Sequence, residues 1–411
     1  MTGAATHMGF REVLQLKPMR RLWAAQVVSI FGDFLAIFAV FSLVTFKFHG
    51  TATQVSMILV AYLVPLALIG PIAGVFVDRW NVKRTLIASD LIRAVLALLL
   101  IFVRDLNEIY LIFLALSVVS SFFMPAQSVT VRTIVPQAGL MSANALMTQA
   151  IQITQIVSPF LAGALAAWLG ANSCFWFDSF SFLFSAAMVF TIAIDHAPTP
   201  GQNDVRSILR SMSEGMKFIL THAAISFVII SMTAGMFAIR CFGALIAVYV
   251  RDILFAGSVL FGSLSSLVGA GMITGTQLIN KFGRDRSKNH MVVAGLIGIG
   301  VSILEVAAFG TVITTIIGMF AVGFCVAYIM IPAQTLLQQE TPKPMLGRVS
   351  SSMMSVLSIA QIFAMLLAGP VAQSIGIRNL YFASGVLLLI IGGVGYLQLR
   401  KPVAASAAGQ G

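Results

Sequence analysis

Six charged residues stand inside long apolar runs of this sequence: Asp33, Asp90, Arg93, Asp178, Arg240 and Glu305. An ionisable group at such a position is expensive to hold in a bilayer, so each needs a partner or a task. Asp33 lies near the middle of its run. It suits a carboxylate that takes up a coupling proton or holds a substrate; the other use is as a structural partner for a helix end or a basic neighbour. Arg240, also deep in a run, suits an anionic substrate group or an ion pair with Asp33. A snorkelling arginine is the alternative. Glu305 and Asp178 fall nearer the ends of their runs, where a carboxylate meets water or a helix cap. Asp90 and Arg93 are three residues apart, on one helical face, and can pair with each other or with the basic loop before them. Gln149, Gln152 and Gln155 recur every three residues as a narrow amide stripe, able to hydrogen-bond a substrate or a neighbouring helix.

Other chemistries are missing. The sequence has no Gly-xxxx-Gly-Lys-Ser/Thr loop, so nucleotide hydrolysis by that route is excluded. No His, Cys and carboxylate cluster has metal-ligand spacing. Cys174, Cys241 and Cys325 all sit in apolar runs and read as small buried residues. Neither a metal, a cofactor nor an enzymatic activity is expected.

The elements that must carry these residues follow from composition. Of 411 residues, 59% are apolar and 9% charged, against about 25% charged in soluble domains. Mean hydropathy is +0.97. An integral membrane protein is the class left. About 20 apolar residues cross a bilayer as a helix, and that ruler gives twelve spans: 22–46, 53–77, 85–103, 109–127, 142–168, 173–194, 224–250, 256–280, 290–309, 311–331, 350–372 and 379–398. The first is too long for the apolar core of a secretory signal. The longest polar interruption follows the sixth span and divides the chain into a first half (1–195), a link (196–222) and a second half (223–411). Within the link, Val205, Ile208, Leu209, Met212, Met216 and Ile219 recur at helical spacing opposite Arg206, Arg210, Glu214 and Lys217, predicting an amphipathic helix on the membrane surface.

With both termini in the cytoplasm, 19 Lys and Arg residues fall in inside segments and 4 outside. That asymmetry supports the span count and the orientation. It also accounts for the formal net charge of +11 without a nucleic-acid surface.

The halves resemble each other. Pro125-Ala126-Gln127 ends the fourth span as Pro332-Ala333-Gln334 ends the tenth. Ser355, Ser358 and Gln361 in the eleventh span answer the Gln stripe, and Gly369 answers Gly163. Gly70 and Gly74 in the second span match Gly271 and Gly275 in the eighth, pairs expected to let helices pack backbone to backbone. The basic loops that follow, Asp78–Arg84 and Asn280–Arg286, also correspond. Two six-span halves of equal orientation form a parallel repeat, the build of a transporter that rocks around a midplane site.

The loop Gly74-xxx-Asp78-Arg79-xxx-Lys83-Arg84 resembles the signature loop of the major facilitator superfamily, with Asn81 and Val82 where Gly and Arg are usual. Within it the sequence is similar to the macrolide-efflux and enterobactin-exporter branch, through Gly32-Asp33, Asp90-Leu91-Ile92-Arg93, Pro125-Ala126, Ser142–Leu146 and Asp178-Ser179-Phe180-Ser181-Phe182. The arginine that proton-linked drug antiporters carry in span four is missing, and their span-five signature is only approximated by Ser158–Gly163.

The resemblance implies a fold of twelve helices in two pseudo-symmetric halves, with spans one, four, seven and ten lining a cavity. It implies an ion-gradient-driven exporter, with a proton as coupling ion, of amphiphilic or lipophilic small molecules. The setting is the bacterial inner membrane and the expected state a monomer. A lysophospholipid or lipid flippase is the alternative; a channel, lacking a filter motif, is poorly supported. Gly74, Asp78, Arg79, Lys83 and Arg84, with Asp90 and Arg93, are then a conformational latch. In it the Asp78 carboxylate meets a helix N-terminus of the opposite half.

Overall fold

The computed structural model describes residues 8–194, 205–282, 286–342 and 345–400. The start of the link, Arg284 and Asp285 of the second basic loop, Lys343 and the chain after Arg400 lie outside the described residues.

The described chain is helical without strands. A short α1 (Phe10–Gln15) precedes α2 (Lys17–Ser42), which ends in a π-helical turn at Leu43–Lys47. Then come α3 (Ala52–Val77), α4 (Val82–Leu99), α5 (Leu106–Ile134), α6 (Leu140–Trp168) and α7 (Asn172–Phe190). The link helix is α8 (Val205–Thr221). It is followed by α9 (Ala223–Asp252), α10 (Ser258–Phe282), α11 (Lys288–Phe309), α12 (Val312–Glu340), α13 (Leu346–Ile375) and α14 (Ile377–Arg400). Ten of these segments are long and apolar enough to cross a membrane by length and composition. Two further helices, α4 and α6, occupy the third and fifth predicted spans. α4 is only 18 residues long and carries Lys83, Arg84, Asp90 and Arg93.

Local chemistry sets the helix starts. Thr51 caps α3, Asn81 caps α4 by accepting from the Arg84 N–H at 3.0 Å, and Asp105 caps α5. The departure from the usual loop at Asn81 is thus an N-cap. Pro125 and Pro332 do not end their helices as expected. α5 continues to Ile134 and α12 to Glu340 with the prolines inside. A proline removes one backbone donor, a loss that a packed membrane helix absorbs.

Contacts group residues 1–208 with 255–266 as one unit, and 209–254 with 267–411 as another. In the first, α2 packs on α6 and α7, α4 on α5 and α7, and α3 on α5. The basic loop's end of this unit is closed by an apolar cluster that includes Val77, Val82, Leu86, Phe123 and Val131. In the second, α9 packs on α12, α13 and α14, and α11 on α12 and α14. Tyr249 and Tyr381 are fully buried there, and their hydroxyls donate to the carbonyls of Val306 and Phe242, both at 2.9 Å. Each aromatic body is buried without leaving its hydroxyl unpaired.

The link helix α8 packs against α13. A Cβ at Gly215 would strike the Arg348 carbonyl and the Ser352 hydroxyl of α13, and Glu214 pairs with Arg348 at 2.5 Å. The glycine lets this helix dock directly on α13.

Candidate functional site

The interior of the first unit holds a compact charged cluster drawn from three helices. Arg93 of α4 is its centre. It donates to Asp90 one turn earlier and reaches Asp33 of α2 at 4.0 Å. Its guanidinium lies between two phenyl rings, 4.1 Å from the centre of Phe123 on α5 and 4.4 Å from that of Phe182 on α7. Cation–π attraction at such a desolvated site contributes about 2 kcal/mol, and the two rings hold the cation away from lipid. Asp90 is wholly buried and Arg93 nearly so, whereas 28% of the Asp33 side chain is accessible.

Asp178 of α7 is the fourth member. Its place toward an end of its run predicts water or a helix cap, but it is 1% exposed. The reason is Gly32. A Cβ at that position would lie 2.7 Å from Asp178 Oδ1 and collide with the Ser181 hydroxyl. With no side chain at Gly32, α7 closes onto α2 and brings Asp178 beside Asp33. Two separate sequence features, Gly32-Asp33 and the Asp178–Phe182 run, are thus one construction in space. The sequence does not mark Phe123 or Phe182 as site residues: Phe182 belongs to the branch-like Asp178–Phe182 run, and Phe123 of α5 stands two residues before Pro125 with no polar signal of its own.

The cluster is under-satisfied. Asp178 Oδ1, Asp90 Oδ2 and Arg93 Nε are buried without a hydrogen-bond partner among the described residues. Three carboxyls share one guanidinium, so full ionisation leaves excess negative charge inside a membrane span. Each proton taken up by a carboxyl would reduce that excess of two negative charges by one.

The other candidates are placed differently. Arg240 of α9 donates from Nε to Gln361 Oε1 of α13 at 2.8 Å, within the second unit, and is exposed. An exposed arginine midway along a span points to water, because lipid does not solvate it. Asp33 therefore has an arginine of its own half, Arg93, as its ion-pair partner. Gln149, Gln152 and Gln155 are all exposed along one face of α6. Glu305 is half-buried four residues before the end of α11.

In the basic loop, Asp78 ends α3 and its N–H donates to the Gly74 carbonyl. Arg79 is exposed, while Trp80 stacks on Phe122 at 5.6 Å. Lys83 lies over the Phe190 ring and Arg84 is exposed. Asp90 and Arg93 sit further along α4, inside the cluster. Gly70 and Gly74 do not pack backbone to backbone: a Cβ at either would meet nothing within 4 Å among the described residues. Their counterparts do. Gly271 abuts the Phe320 carbonyl, and a Cβ at Gly275 would lie 2.6 Å from that of Phe324. No group of three metal-binding side chains occurs among the described residues.

A bundle of long apolar helices with a charged cluster buried among them is the build of a multi-pass membrane transporter. The profile of the Major Facilitator Superfamily matches residues 22–360 and 285–410, and the chain belongs to that family. It is 26% identical over 385 residues to the uncharacterized MFS-type transporter YfiS of Bacillus subtilis, covering 92% of each chain. It is 26% identical over 381 residues to macrolide efflux protein A of Streptococcus pyogenes, covering 90% of this chain and 93% of the relative. The crystal structure of the nucleoside transporter NupG superposes with a TM-score of 0.73, covering 94% of this chain and 100% of that one. At 13% identity it supports the fold alone. The protein is a transporter and not an enzyme. The flippase alternative is not favoured, since a relative spanning nearly the whole chain is named for efflux.

Proposed function

We propose that this protein is a secondary active exporter of amphiphilic or lipophilic small molecules of drug, macrolide or siderophore type, working by alternating access and driven by a proton gradient. The observation that carries the proposal is the cluster of Asp33, Asp90, Asp178 and Arg93, whose charge balance changes with each proton bound. Asp33, the accessible member, is the entry point for the coupling proton. Arg240, held by Gln361, and the stripe of Gln149, Gln152 and Gln155 are the substrate contacts, with Glu305 as a further carboxylate near water. The moving halves are 1–195 and 223–411, joined by 196–222. The chain acts as a monomer in the bacterial inner membrane with both termini cytoplasmic. The macrolide-efflux relative supports the direction and the substrate class.

Gly74, Asp78, Arg79, Lys83 and Arg84 form the latch that stabilises one of the two states. Asp78→Asn is expected to slow turnover more than it weakens substrate binding, because it acts on the conformational equilibrium. Unchanged transport by a well-expressed variant refutes the latch. The main test is a resistance and accumulation screen in an efflux-deficient bacterium, followed by ethidium uptake into everted vesicles. Uptake that needs the pH gradient supports the proposal. Uptake indifferent to it, or driven by nucleotide, refutes it.

A further inference from the structure

We propose that Asp178 is the storage site of the coupling proton: Asp33 exchanges the proton with water, Asp178 holds it in the protein interior, and Arg93 is the counterion they share. This rests on the proton-driven reading above and adds to it a second proton site.

Four observations carry it. Asp178 is almost completely buried, and its Oδ1 has no hydrogen-bond partner among the described residues. That oxygen lies against Gly32, the residue before Asp33. Asp33 is the cluster's accessible carboxyl, with 28% of its side chain open. Arg93 reaches Asp33 at 4.0 Å and donates to Asp90, which leaves it shared between carboxyls.

The groups facing Asp178 can be named helix by helix. α2 contributes Asp33, and α4 contributes Asp90 and Arg93. α3 contributes Tyr62, which senses both Asp33 and Asp178. α7 itself contributes Cys174, and α6 carries no charged residue. Asp90 is already bound by Arg93, so the movable proton has two homes, Asp33 and Asp178.

The step balances. A protonated Asp33 gives its proton to the Asp178 carboxylate and becomes a carboxylate itself, drawing Arg93 toward it. The reverse transfer neutralises Asp33 and returns the guanidinium to Asp90 and Asp178. The net charge of the cluster is unchanged by the transfer and changes only when Asp33 trades a proton with water. A two-site arrangement keeps the interior proton out of direct contact with either aqueous side.

The test uses the full chain in two arms. In the first, wild-type protein in liposomes is treated with dicyclohexylcarbodiimide, which modifies protonated carboxyls in apolar surroundings, across a pH series, and the modified residues are mapped by mass spectrometry. Modification of Asp178 that is lost as pH rises is expected. Modification confined to Asp33, Asp90 or Glu305 overturns the inference. In the second arm, D178N is assayed in everted vesicles with ethidium. Loss of the gradient-driven component with downhill equilibration retained is expected; wild-type gradient-driven uptake overturns the inference. If wild-type uptake itself ignores the gradient, the proton-driven reading fails first. If D178N does not fold, the carbodiimide map of the wild type decides.

Discussion

The two halves solve the same packing problem with different chemistry. In the register set by Asp78 and Asn280, Val292 and Gly295 of α11 stand where α4 carries Asp90 and Arg93. In that set by Gly163 and Gly369, Ser384 of α14 stands where α7 carries Asp178. Where Arg93 fits between phenyl rings, Gly295 lets α11 close on α12, with Ile329 and the Cys325 carbonyl against it. Farther along, Gly300 and Gly385 let α11 and α14 approach until each meets the other's carbonyl. Among its described residues the second half therefore packs without a fully buried charge. Buried charge is unfavourable for stability compared with apolar packing. Among the described residues it is confined to the first half, and under the proposed function the first half handles the ion while the second provides a close-packed frame and the exposed Arg240.

The largest expected effect breaks the charged side of the comparison. Arg93→Leu leaves three carboxyls without their guanidinium and is expected to lower stability by about 3–5 kcal/mol, the cost of an orphaned buried charge. Thermal unfolding in detergent measures it; a loss under a third of that size would mean that the cluster is not structurally coupled. Next comes the packed side. Gly300→Ala drives a methyl to within 2.9 Å of the Gly385 carbonyl and is expected to cost about 1–3 kcal/mol by overpacking, with gradient coupling kept. Neutral behaviour would mean that α11 and α14 are not in close contact.

The smallest effect has the opposite sign. Gly74→Ala points into open space and should stabilise α3 by about 0.5–1 kcal/mol, as alanine does in a helix. Destabilisation by this variant would reveal a packing partner for α3.

Much of the fold could be read from apolar run length and charge alternation, because the bilayer dictates both. Helix ends were less legible. Pro125 and Pro332 read as terminators because proline loses a donor, yet packing carries α5 and α12 past them. Asp33, Asp90 and Arg93 declared themselves as charges in apolar runs. Asp178 did too, but its partnership with Asp33 depends on which helices adjoin, which linear spacing does not encode; Gly32 is the residue that joins them. The pair Gly70 and Gly74 shows the converse. Two small residues a turn apart mark a face that permits close approach, and nothing in the sequence says whether a helix takes it.

The measurement that bears most directly on the first half as the ion-handling half is transport by Asp33→Asn in liposomes, with imposed pH-gradient accumulation and equilibrium exchange of ethidium followed side by side. The variant is expected to exchange ethidium across the membrane but not to accumulate it against its gradient. Accumulation equal to wild type, with the same pH dependence, would contradict the assignment and leave Asp33 a structural partner of Arg93.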